Sequence, residues 1–221
     1  SKKSTITIKN STEFLGYEQF KNSAIISAII KDNKSVDSLS EGEEAIVVID
    51  KSSFYGESGG QSGDHGTLSK IGAQFKVTDT QKQASNAFEH HGIQAKGALQ
   101  VGDEVEASID QDRRKKIMNN HSATHLLHEA LRQVLGDQVN QKGSLVESEK
   151  LRFDFSHDEV VSRANLDKVE VIVNQQILGN TQVITEETDI KTAKKKGAMA
   201  LFGEKYGDSV RVLSMGDDNF S

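Results

Sequence analysis

The chain has 221 residues, 27% of them charged and 35% hydrophobic, with a net charge of −6 and no cysteine. That is enough for one large domain or two modest ones, but no apolar run approaches the ~20 residues of a membrane span and no apolar stretch follows Lys2 and Lys3 to make a secretory signal. The lack of cysteine excludes disulfides and thiolate ligands and suits a reducing cytoplasm, while the acidic balance excludes a general nucleic-acid coat and leaves RNA contact to local basic patches.

In chain order, the first half predicts strands over Ser23–Lys31, Glu44–Asp50, Gln74–Thr80, Ala87–Ile93 and Glu104–Ile109. Each is rich in Val, Ile or Phe and bounded by turn formers, the pattern of a small antiparallel barrel or sandwich. From Asp112 the period becomes helical and runs to Leu135, with Gly136 as the stop. Leu145–Phe155 reads as one or two strands and Asn165–Leu178 as an amphipathic helix closed by Gly179-Asn180. Val183–Thr185 and Val210–Met215 read as strands around a short helix at Asp189–Lys196. The expected fold class is α+β: a barrel-like domain over 1–110, then an α+β core over 111–221 whose long helix lies against an antiparallel sheet.

The long helix carries His121 and His125, spaced i, i+4, so that two imidazoles share one face a turn apart and one metal ion can bridge them. Zinc normally takes three or four protein ligands, so the pair is incomplete. A plain reading, two polar helix residues, stays open. A zinc-protease reading fails, because Ser122 stands where that motif needs a glutamate. His128 is a possible third ligand, although a helix-face histidine beside Leu127 is the better reading.

Two further patterns stand out. Phe54 to Asp64 contains Gly56, Gly59, Gly60 and Gly63, a density that requires positive φ or close backbone approach. The segment is either a tight connection between strands or a loop lining a ligand groove; as a nucleophile elbow it fails, since more glycine follows instead of a helix. Arg113-Arg114-Lys115-Lys116 and Lys194-Lys195-Lys196 are basic clusters in an acidic chain, solvated faces or phosphate contacts.

Six blocks in a fixed order then carry a family resemblance: Thr12–Tyr17, Phe54–Gln61, the histidine segment Asn120–His128, Gln141–Leu145, Leu151–His157 and Gly197–Gly207. The chain resembles the middle of a bacterial alanyl-tRNA synthetase, in the region of its editing domain, which is related to free-standing editing proteins and to the editing domain of threonyl-tRNA synthetase. The resemblance implies hydrolysis of tRNA(Ala) mischarged with serine or glycine, with zinc as cofactor on His121 and His125. It implies that Thr124 and Gln141 face the amino acid, and that Arg113, Arg114, Lys142, Gly59, Gly60 and Gln61 contact substrate or tRNA. In that family a Cys-x-x-x-His element beyond Val210–Met215 completes the metal site. The chain stops at Ser221, short of it, so the expectation is half a metal site with weak zinc and little activity by itself. ATP and magnesium would belong to an aminoacylation domain elsewhere in the synthetase. The alternatives are a catalytically inactive tRNA-binding module and an inter-domain connector.

Overall fold

The strand-rich half closes on itself. In the computed structural model, which describes residue 6 and residues 8–181, 183–195 and 209–214, the elements of this half are β1 (Glu13–Phe14), β2 (Lys21–Lys31), β3 (Lys34–Val36), β4 (Ser38–Leu39), β5 (Glu44–Ile49), β6 (Lys51–Ser52), β7 (Gly66–Lys70), β8 (Ala73–Lys82), β9 (Phe88–Lys96), β10 (Leu99–Gln100) and β11 (Glu104–Ile109). Antiparallel pairing runs β11-β7-β8-β9-β5-β2, and β11 also pairs with β2, which makes a six-stranded barrel with β3 added at β2. Closure leaves few bare strand edges. Period-two burial supplies the core: Phe75 and Val77 of β8 and Val105, Ala107 and Ile109 of β11 point inward among Ile26, Val47, Ile49, Phe54 and Leu68. Asp32 and Asn33, at φ 49° and 57°, form the two-residue turn between β2 and β3, a conformation these side chains tolerate better than most.

The helix follows as α1 (Gln111–Leu135). The other elements are β12 (Asn140–Val146), β13 (Leu151–Ser156), α2 (Arg163–Gly179), β14 (Ile184–Asp189), α3 (Ile190–Lys195) and β15 (Ser209–Ser214). Asp110 caps α1 by accepting the Arg113 N–H at 3.0 Å, and Gly136 ends it at φ 111°. Ser162 caps α2, and Asn180 closes it in the left-handed region at φ 46°. Two compact units result, residues 1–117 and 118–221, whose boundary falls inside α1. The second has its own core, in which Leu126, Ala130 and Leu131 of α1 pack with Val169 of α2 and Phe153 and Phe155 of β13. The α+β class and the barrel are as expected from the sequence. No helix among the described residues is long and apolar enough to cross a membrane.

Two buried polar arrangements hold the first unit. His90 is fully buried on β9, with its Nδ1–H donating to the Val47 carbonyl at 2.9 Å and its Nε2 2.8 Å from the Ser52 hydroxyl, which donates to it. Burial pushes its pKa down to about 4. Arg114, only 7% exposed, meets Asp64 through Nε at 3.0 and 2.9 Å and through Nη2, and also donates to the carbonyls of Gly16 and Ser53 at 3.0 and 3.1 Å.

Two outcomes follow for stability. An unfolded histidine protonates near 6.5 and folded His90 only near 4, so the unfolded chain takes the proton first as pH falls. Stability that is fully present above about pH 6.5 is therefore lost progressively down to about pH 4, by on the order of 3 kcal/mol. Urea midpoints measured from pH 7.5 to 4 should fall, and the fall should be shallower in His90→Gln. Arg114→Met, which strands a buried carboxylate, should cost about 3–5 kcal/mol, and adding Asp64→Asn should recover part of it. Near-ultraviolet tyrosine signals report the change, because Tyr17 and Tyr55 lie in this unit.

Candidate metal and substrate site

On α1, a four-residue period sorts polar side chains into two adjacent rows. One row holds His121 and His125, whose rings stack with centroids 5.0 Å apart and planes at 27°. Burial holds both below the ordinary histidine pKa, His125 down to about 4 with smaller contributions from His121 and His128. Neutral imidazoles are the form that binds metal. The Nε2 of His125 is buried without a hydrogen-bond partner, and an orphaned nitrogen of that kind suits a ligand to a cation. These two residues fit part of a zinc shell in donor type. Among the described residues, no group of three or more His, Cys, Asp or Glu is placed to hold a metal.

The neighbouring row is Asn120, Thr124 and His128, and it faces the β12–β13 hairpin. Asn120 Nδ2 donates to the carbonyls of Glu147 and Ser148 at 2.8 and 3.3 Å, in the turn of the hairpin. Thr124 is buried, with its hydroxyl proton donated to the Asn120 carbonyl at 2.8 Å. Its oxygen lone pairs remain acceptors for a substrate donor. His128 is 8% exposed, its Nε2 lies 3.4 Å from the Val139 carbonyl, and its ring packs 5.0 Å from that of Phe153. The plain reading of His128 as a packing residue holds. Gln141 is half-buried on β12 opposite Phe155, where the register shifts by a bulge before Gly143, and Lys142 in that bulge is exposed.

The remaining expected contacts lie in the first unit. Gly59 and Gly60 take φ 57° and 84° in a turn closed both ways, with the Gln61 N–H donating to Ser58 at 2.9 Å and the Ser58 N–H to Gln61 at 3.2 Å. A Cβ on Gly63 would stand 2.1 Å from the Thr80 carbonyl oxygen, so this glycine is required by close approach rather than by φ. Gln61 itself is buried. Arg113 donates through Nη1 to the Gly63 carbonyl at 2.9 Å. Arg114 departs from the expectation of an RNA contact: its guanidinium is spent on Asp64 and two carbonyls inside the barrel. A buried arginine must be paired in this way, and a run of basic letters does not reveal it. Lys194 and Lys195 end α3. Lys196, the Gly197–Gly207 block, Met215 and the chain end lie outside the described residues.

Two residues with clear roles escaped the reading of the sequence. Asp64 and Asn120 act through hydrogen bonds to partners far along the chain, which no local spacing announces. His157, just after β13, keeps a buried Nδ1 without a partner.

Comparison with known proteins bears out the resemblance. A family model described as tRNA synthetases class II (A) matches residues 1–113. The alanine–tRNA ligase of Ruthia magnifica subsp. Calyptogena magnifica is 57% identical over 219 residues, which are 99% of this chain and 25% of the relative. That of Vesicomyosocius okutanii subsp. Calyptogena okutanii is 58% identical over 216 residues, 98% of this chain and 25% of the relative. That of Pseudomonas fluorescens is 59% identical over 215 residues, 97% of this chain and 24% of the relative. The chain spans about a quarter of the length of these relatives. With more than half its residues under the family model and nearly all of them aligned to alanine–tRNA ligases, the chain belongs to the class II (A) tRNA synthetase family.

Proposed function

We propose that the chain is the editing portion of an alanine–tRNA ligase and hydrolyses the ester of tRNA(Ala) mischarged with serine or glycine. The observation that carries this reading is the stacked His121–His125 pair with its orphaned Nε2, one helical row from a buried threonine hydroxyl. The need for such a site follows from pocket physics. A site shaped for alanine cannot exclude the smaller glycine, and one methyl group discriminates by only ~1–3 kcal/mol. Serine, larger by a hydroxyl, is also poorly rejected, so a second site must remove the errors.

Water attacks the carbonyl carbon of the aminoacyl ester, the bond to the ribose oxygen breaks, and that oxygen leaves with a proton. His121 and His125 would hold zinc, together with ligands from outside the described residues, and zinc when bound supplies positive charge for polarising a carbonyl, acidifying a water or anchoring the terminal ribose. Thr124, its proton held by Asn120, accepts a hydrogen bond from the serine hydroxyl or the ammonium group. Gln141 offers both a donor and an acceptor from β12. Exposed Lys142 meets tRNA phosphate, and the turn at Gly59, Gly60 and Gln61, with Arg113 beside it, gives the barrel a surface for the nucleic acid. The tRNA and the rest of the synthetase are its partners, with ATP and magnesium used elsewhere in that enzyme.

In a full-length synthetase carrying this sequence, His121→Ala or His125→Ala should lower deacylation of seryl-tRNA(Ala) by roughly 10–100-fold and leave charging with alanine intact. Deacylation at the unaltered rate would refute the reading; retained tRNA binding without any deacylation in the parent enzyme would favour the inactive binding module. Lys142→Ala should weaken tRNA binding and reduce the slope of log affinity against log salt by about one, measured by filter binding between low and moderate salt.

A further inference from the structure

We propose that Asn120 is a positioning residue: by hydrogen-bonding the β12–β13 turn it fixes the roll of α1 about its own axis, and so aims the His121–His125 pair. Apolar burial of Leu126, Ala130 and Leu131 sets how close the helix sits but is not directional, so it specifies roll less sharply than a hydrogen bond does. Hydrogen bonds are directional and do resist it. Asn120 supplies two N–H groups from one amide nitrogen to two successive carbonyls, those of Glu147 and Ser148. The turn is itself a fixed anchor, because the Glu147 N–H donates to the Lys150 carbonyl at 3.0 Å. At the other end of the row, His128 meets Val139 and Phe153.

The side chain next along the helix after Asn120 is His121, about 100° around the axis, so any roll released at Asn120 is transmitted directly to the histidine row. Thr124, one turn on, gives its hydroxyl proton to the backbone carbonyl of position 120, a bond that substitutions of the Asn120 side chain leave in place. The consequence for zinc rests on the editing reading above; the effect on the roll of α1 does not.

The substitution that isolates this role is Asn120→Asp, which keeps the shape and removes both donors, turning a carboxylate toward two carbonyl oxygens. Asn120→Ser removes the reach without adding charge and serves if the aspartate variant fails to fold. Val169→Ala, in the same core but distant from this hydrogen bond in sequence, is the control for lost stability alone. In the isotope-labelled chain, the nuclear Overhauser contact between the His128 and Phe153 rings, which bridges α1 and β13 and so reports the roll of the helix, is measured first, then zinc affinity by competition with a chromophoric chelator. The ring contact should be present in the unaltered chain and in Val169→Ala, and fall several-fold in Asn120→Asp or Asn120→Ser; where zinc binds, its affinity should fall about tenfold with it. Ring contacts unchanged by both Asn120 variants, or equally weakened by Val169→Ala, would overturn the inference while leaving the editing reading intact. Loss of the contact in Asn120→Asp alongside an unaltered chain that takes up no zinc would support the positioning role and count against the zinc site.

Discussion

A guanidinium cannot be buried unless nearly every nitrogen finds an acceptor, and the first unit is organised around meeting that demand at Arg114. Asp64 supplies the charge, and Gly16 and Ser53 supply carbonyl oxygens. Those acceptors come from three separate stretches of chain, so the ion pair fixes the path of each. Asp64 is held in turn, accepting the Tyr55 N–H at 2.8 Å through its carboxylate while its carbonyl accepts the Thr80 hydroxyl at 2.8 Å. The glycines between Tyr55 and Asp64 then become intelligible. The chain must leave Tyr55, reverse at Gly59-Gly60 and return against β8 closely enough that Gly63 touches the Thr80 backbone.

The second unit has a constraint of the same kind in another form. α1 presents its polar residues in two rows one residue apart, and the hairpin accepts only one of them. Asn120 hydrogen-bonds the hairpin turn and His128 packs on Phe153 there, while His121 and His125 belong to the adjacent row. His125 retains a buried Nε2 without a partner, which is costly in a core and useful at a site. His128 lies three residues beyond His125, yet its Nε2 has a carbonyl within reach and that of His125 has no partner.

How much of this was legible in the sequence depended on whether a signal was local. Strands with strong alternation, such as β8 and β11, and helices with a clear stop, such as α1 at Gly136, were readable because burial imposes a period on neighbouring residues. β7, five residues beginning Gly-Thr, carries too little apolar weight to stand out, and the barrel closes only through it. The histidine pair was readable from spacing, and its stacking follows from that spacing. Arg114 was misread because its letters match a solvated basic run, and only a partner fifty residues earlier gives it away. Asn120 was passed over for the same reason: its hydrogen bonds reach across twenty-seven and twenty-eight positions.

The distinction between the two kinds of polar residue also bears on the hydrolytic site proposed for this helix. A threonine hydroxyl left to rotate would present a proton or a lone pair with similar ease, and would not discriminate between substrate donors and acceptors. Committing its proton to the backbone carbonyl four residues earlier removes that ambiguity, since Thr124 can then only accept from a ligand. What the helix fixes is the direction of the hydroxyl proton, and with it the bearing of the remaining lone pairs. Under the proposed editing reading, a lone pair with a fixed bearing would suit the serine hydroxyl, a donor that alanine lacks.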